Sequence, residues 1–106
     1  MKYYAVAEID VADPGWIESY VREVTPLVER FGGRYLARTS RVEKLEGSRP
    51  VPQVCLLEER PSREAAIEFY ESEAYRPHRK QRQAGARSDL ALVAGEDITG
   101  AARMPE

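Results

Sequence analysis

Residues 53–59 read Gln-Val-Cys-Leu-Leu-Glu-Glu, and the adjacent pair Leu56-Leu57 decides how the rest of the chain is understood. The run lies between the Pro/Gly/Ser stretch Gly47–Pro52 and the pair Pro61-Ser62, which marks it as a strand. Successive side chains of a strand point to opposite faces, so Leu56 and Leu57 serve different sides of one sheet. The same doubling recurs in the other β-rich segments. Tyr3-Tyr4 opens Tyr3–Val11 (YYAVAEIDV), Tyr35-Leu36 lies in Arg34–Thr39 (RYLART), and Leu92-Val93 lies in Ser88–Ala94 (SDLALVA). A sheet covered on one side only should alternate apolar and polar residues. These four strands predict a sheet with two apolar faces.

The segments between them predict helices. Asp13 is placed to cap a helix whose first position is Pro14, where a missing N–H costs nothing. Trp16, Ile17, Tyr20, Val21, Val24, Leu27, Val28 and Phe31 then recur at helical spacing, with a kink expected at Pro26 and an end at Gly32-Gly33. Ser62 caps a second helix with Glu64 in its first turn and Ala65, Ala66, Phe69 and Tyr70 on its inner stripe. Tyr75–Ala86 predicts a further short helix, entered at Pro77 and ending near Gly85, and the strand at Arg34–Thr39 is expected to resume at Val42–Leu45. The order is that of an α+β, ferredoxin-like βαββαβ fold, a four-stranded antiparallel sheet with its helices on one face.

Helices on one face leave the other bare. Four strands of about five residues present roughly 320 Å², the size of the largest patch an ordinary monomer exposes. Burial of that face against a second copy would gain about 8 kcal/mol before the cost of association. Self-association is therefore expected, unless Glu8, Asp10, Arg38 and Glu58 wet the face.

Composition narrows the function classes. The chain has 106 residues, 42% hydrophobic and 32% charged, which fits one ordinary globular domain. A net charge of −2 gives no global attraction to nucleic acid or anionic lipid. Cys55 is the single cysteine, so an internal disulfide framework and a multi-cysteine metal site are excluded. No apolar run approaches membrane-spanning length and no leader pattern precedes Val11, so a cytoplasmic protein with no membrane partner is expected.

Several blocks carry a family resemblance. Gly32–Arg38 (GGRYLAR), Val42–Gly47 (VEKLEG), Leu57-Glu58, Pro61–Tyr70 (PSREAAIEFY), Ser72–Tyr75 (SEAY) and Ser88–Gly95 (SDLALVAG) together resemble the domain of unknown function 1330 family. The resemblance covers about residues 2–95 and implies the dimeric α/β-barrel superfamily, in which two sheets pack face to face about a two-fold axis. It implies a barrel-forming domain over residues 1–95; residues 96–106, read on their own composition, are expected to form a flexible C-terminal tail. The superfamily includes cofactor-independent monooxygenases and isomerases, but the family has no settled reaction and transfers no catalytic residue. No cofactor is implied.

The candidate site residues follow from position. Arg34 and Arg38, four apart on one strand, are expected to share a face about 13 Å apart, where each could grip a carboxylate or phosphate. They could equally pair with Glu8, Asp10, Glu43 or Glu58. The tyrosines, Tyr20, Tyr35 and Tyr70 foremost, could with Trp16 line a pocket between helices and sheet, which is where active members of the superfamily keep theirs. His78 is the single histidine, which rules out a His-cluster metal site and leaves it a candidate base. Residues 74–88 hold five basic residues and no acid, but lack the aromatics an RNA-binding sheet needs. The residues thus predict a homodimer that binds a small anionic or aromatic molecule in the helix–sheet cleft. A cofactor-free monooxygenase or isomerase is the first alternative, and nucleic-acid binding through residues 76–87 the second.

Overall fold

The computed structural model describes residues 1–105. The chain runs β1 (Tyr3–Val11), a 3-10 turn (Pro14–Trp16), α1 (Ile17–Arg30), β2 (Arg34–Thr39), β3 (Val54–Arg60), α2 (Arg63–Glu71), α3 (Arg76–Gly85) and β4 (Ala86–Ala94). The sheet order is β2-β3-β1-β4 with every neighbouring pair antiparallel. This is the ferredoxin-like α+β arrangement that the strand and helix pattern predicts.

Short-range chemistry sets the boundaries. The Asp13 carboxylate accepts the Gly15 N–H at 3.0 Å, so the cap is in place, although the first turn it starts is 3-10 rather than α. Pro26 sits inside α1 without ending it; the helix runs on to Arg30. Its end is the Gly32-Gly33 turn. Gly32 takes φ +85°, which a side chain would resist, and the Gly33 N–H reaches back to the Val28 carbonyl at 2.9 Å. Ser62 caps α2 by accepting the Ala65 N–H at 3.0 Å.

Two expected boundaries move. The strand does not resume at Val42–Leu45, because Thr39 already pairs with Cys55, one residue from the start of β3, and nothing lies beyond to pair with. Residues 40–53 instead form a long connection pinned to β1. Gln53 accepts the Val11 N–H at 2.8 Å and donates its own N–H to Asp10 at 3.0 Å, while Arg49 meets Glu8 at 3.2 Å. At the other end, β4 begins at Ala86 rather than Ser88, since α3 runs straight into it once the Gly85 carbonyl has accepted the N–H groups of Ala12 and Asp13. In the C-terminal segment, the Asp97 carboxylate gathers the Thr99 and Ala102 N–H groups at 2.9 and 2.8 Å.

The pairing register sorts the strand residues. Ala5, Ala7 and Ile9 of β1 stand beside Glu58, Leu56 and Val54 of β3 and Leu92, Leu90 and Ser88 of β4, on the helix-covered face. Tyr4, Val6, Leu57, Ala91 and Val93 share the other face with Glu8 and Asp10. Leu56 and Leu57 are therefore divided as their adjacency requires. The charges divide differently from expectation. Glu8 and Asp10 lie on the open face, but Glu58 and Arg38 belong to the covered one. The helix layer contributes the buried core Val24, Leu27, Val28, Phe69 and Tyr75, with Tyr20, Phe31, Tyr35 and Tyr70 packed around it.

Candidate functional site

A single extra residue in β2 shapes the site. Tyr35 pairs with Glu58 and Ala37 with Leu57, so Leu36 is a β-bulge that resets the alternation between them. Arg34 and Arg38 consequently do not share a face, contrary to the four-residue spacing. Arg34 stands beside Glu59 on the open face, at 3.4 Å. Arg38 stands beside Leu56 on the covered face, donates to the Thr25 hydroxyl at 3.0 Å and lies 4.3 Å above the Tyr35 ring. The extra residue, Leu36, is 47% exposed.

Between the helices and this face is a cavity of about 650 Å³. That volume suits a ligand of small-molecule size. Its floor is small and aliphatic, with Ala5, Ala7, Ile9 and Leu56, and its walls carry Trp16, Tyr20, Tyr35, Tyr70 and Tyr75. Trp16 gets its place from Gly85, whose missing side chain leaves room for the indole to lie against the end of α3. The Trp16 ring then meets Tyr20 edge-on at 5.1 Å.

Besides Arg38, two polar groups break the apolar lining. One is the buried pair Glu58–Arg60, in which Arg60 donates to Glu58 Oε1 while stacked 4.4 Å from the Phe69 ring centre. Burial pushes the Glu58 carboxyl above the ordinary carboxylate value, although Arg60, Arg38 and Arg82 each pull it back. Glu58 thus lies within the electrostatic reach of three guanidinium groups, all of them lining the cavity. The other group joins Tyr20 and Tyr75, whose hydroxyls are 2.6 Å apart, with Arg82 Nε donating to the Tyr75 oxygen at 3.4 Å. Burial is also the main force that holds the Tyr20 hydroxyl protonated far above the usual tyrosine range. One carboxylate against three guanidinium groups gives the cavity a net positive charge inside a chain that is negative overall.

The candidate residues can now be placed. Tyr20, Tyr35, Tyr70 and Arg38 line the cavity together, while Arg34 lies outside it. His78 is not among the lining residues; its ring stands edge-on to Tyr20 at 6.4 Å with Nδ1 buried and unpartnered. The basic stretch is largely spent within the protein. Arg76 pairs with Glu73 at 3.0 Å, Arg79 donates to the Tyr70 carbonyl at 2.7 Å over the Tyr70 ring, and Arg82 is buried. Sequence reasoning missed Glu58, Arg60 and Arg82 as site residues. The signal for the first two was present, because once Leu56 faces the helices, residues 58 and 60 must follow it. Among the described residues, no group of three or more His, Cys, Asp and Glu could hold a metal ion, and no helix is long and apolar enough to cross a membrane.

The fold and its hollow interior layer define a ferredoxin-like domain with a cavity beneath its helices. The chain belongs to the domain of unknown function family DUF1330, whose model matches residues 2–96. No curated protein matches it. Among solved structures it is similar to a protein of unknown function from Rhodopseudomonas palustris, at 21% identity over 87% of this chain and 80% of that one, with a TM-score of 0.74. It is also similar to SnoaB, a cofactor-independent oxygenase from Streptomyces nogalater, at 15% identity over 93% and 97% of the two chains and a TM-score of 0.65. A Mycobacterium tuberculosis protein, Rv0793, follows at 16% identity over 94% and 100%, with a TM-score of 0.55. At these identities the likeness is one of fold.

Proposed function

We propose that the protein works as a homodimer that binds a small molecule with an apolar, aromatic body and an anionic group in the helix–sheet cavity. The carrying observation is the cavity itself: about 650 Å³, mostly apolar, with Arg38, Arg60 and Arg82 set against the single carboxylate of Glu58. Guanidinium groups in a low-dielectric hollow favour a carboxylate or sulfonate, and the aromatic walls favour a flat ring beside it. Fluorescence titration with anilinonaphthalene sulfonate tests this. Saturable enhancement by the native protein, lost when Ala7→Phe fills the cavity floor and kept when Leu57→Asp alters the open face, is the expected outcome. Enhancement insensitive to Ala7→Phe would end the reading.

The second copy is argued from the bare face. The subunit is a slab 17 Å thick in its shortest dimension and exposes 7426 Å², where a chain of this size should expose roughly 6,000 Å². Leu57 and Val93, 38% and 48% exposed, lie on the face with no helix over it, beside Tyr4, Val6 and Ala91. Sedimentation at micromolar concentration should give twice the chain mass. A second functional reading, a monooxygenase or isomerase that needs no cofactor, draws support from the fold shared with SnoaB.

A further inference from the structure

The hydroxyl pair Tyr20–Tyr75 has a proton to spare. Each phenol carries one O–H, the two oxygens share a single bond at 2.6 Å, and Arg82 can only donate to them. Whichever hydroxyl donates to the other, one O–H is left undirected by the protein, polarised by the Arg82 guanidinium behind it. Both tyrosines and Arg82 line the cavity, and Tyr75 and Arg82 are themselves buried. Such a donor suits an oxygen that gains negative charge.

Glu58 complements it from the sheet. Arg60 occupies Oε1, whereas Oε2 carries no hydrogen bond among the described residues and is not among the buried unpartnered atoms. A carboxylate held by one oxygen, with its other oxygen open to an apolar cavity, is placed as a general base. Burial raises its proton affinity, and Arg82 is near enough to influence both groups.

From this juxtaposition we propose that the cavity catalyses proton transfer at a carbon next to a carbonyl, with Glu58 as the base and the Tyr20–Tyr75–Arg82 unit as the hydrogen-bond donor to the enolate oxygen. The C–H bond breaks, its proton passes to Glu58 Oε2, and its electron pair forms the carbon–carbon double bond as the carbonyl π pair moves to oxygen. The charged oxygen is held by the spare O–H. Return of the proton to the same carbon gives exchange, and delivery elsewhere on the enolate gives isomerisation. No oxidant, reductant or metal enters the balance. The substrate class is an enolisable carbonyl compound that also bears an aromatic ring and a carboxylate. The proposal rests on the cavity reading above.

Phenylpyruvate, an aryl-substituted α-keto acid, is the probe. Nuclear magnetic resonance in deuterium oxide follows loss of its benzylic proton signal, and line broadening of its ring protons reports binding. The native protein should speed exchange at least about 100-fold over buffer, in the range expected of a positioned base. Glu58→Gln should remove most of that gain while ring-proton broadening persists. Tyr20→Phe combined with Tyr75→Phe, which removes both hydroxyls and leaves the Glu58–Arg60 pair intact, should cut the rate about 10-fold and decides the matter if the Glu58→Gln variant does not fold. Binding without faster exchange overturns the proposal and leaves the cavity reading standing; neither binding nor exchange overturns both. Faster exchange that survives in both variants overturns the assignment of residues.

Discussion

The two faces of this sheet are built from the same strands, often from adjacent residues, yet they solve opposite problems. The covered face buries charge: Glu58 and Arg60 are 7% and 4% exposed in the middle of an apolar layer. The open face leaves grease in water, with Leu57 and Val93 uncovered and the charges Glu8, Asp10 and Arg49 gathered toward one end. The difference teaches that burial follows the neighbours, not the residue type. A charge can be enclosed where an opposite charge lies beside it, and a leucine is left out where no helix lies over it.

Four measurements would sharpen or break this contrast. The largest effect is expected where the covered face meets the core. Phe69 is buried, lies 4.4 Å from the Tyr75 ring, meets Phe31 edge to face at 5.7 Å, and carries Arg60 on its ring. Phe69→Ala should cost about 3–5 kcal/mol in denaturant unfolding. A loss below about 1 kcal/mol would mean the helix layer is not held by this ring cluster.

Next comes the open face. Leu57→Asp should weaken self-association at least about 100-fold, which is about 2.7 kcal/mol, with little change in the fold of each subunit. Sedimentation equilibrium reads this directly, and an unchanged mass would locate any dimer contact elsewhere.

A smaller effect separates the two arginines of β2. Arg38→Ala should weaken binding of an aromatic anion about 10-fold, the order of one lost charge-assisted hydrogen bond. Arg34→Ala, on the other side of the bulge and 68% exposed, should change it less than about 2-fold. Equal effects in a titration would contradict the register.

The smallest is a matter of sign. Burial raises the folded-state proton affinity of Glu58 above its unfolded value of 4.5, outweighing Arg60, so the folded state binds the proton more tightly than the unfolded one. Its contribution to stability is therefore fully present below about pH 4.5 and is lost as pH rises through the folded value. The native protein should gain stability relative to Glu58→Gln as pH falls through that window. Melting curves showing the reverse trend would mean that the ion pair with Arg60 dominates.

Much of the fold is legible in the sequence because the decisive signals are local. Asp13-Pro14, Gly32-Gly33 and Ser62 mark helix ends by their own hydrogen-bonding chemistry, and Leu56-Leu57 shows a sheet with two apolar sides wherever it sits. The site is less legible. Tyr20, Tyr35, Tyr70 and Arg38 meet around the cavity, but Arg34 does not, since nothing in Arg-Tyr-Leu-Ala-Arg announces a bulge at Leu36. Glu58 reads as a wetting charge because it opens the charged run Glu58-Glu59-Arg60, and such a run is usually solvated. Arg82 reads like the basic residues around it, and only the tertiary packing of α3 against Tyr20 and Tyr75 distinguishes it from Lys80. The early stop of β2 is hidden too, because it is set by where β3 starts.

The bulge in β2 also has a consequence for the history of the chain. Were Leu36 paired as an ordinary strand residue, the inside and outside of the strand beyond it would exchange, sending Arg38 to the bare surface and Ala37 toward the hollow; loss of Leu36 altogether would instead leave Ala37 opposite Leu57 and Arg38 opposite Leu56. A one-residue gap at position 36 in a relative would thus keep the guanidinium in the chamber, for it takes away only the residue that the pairing already leaves over.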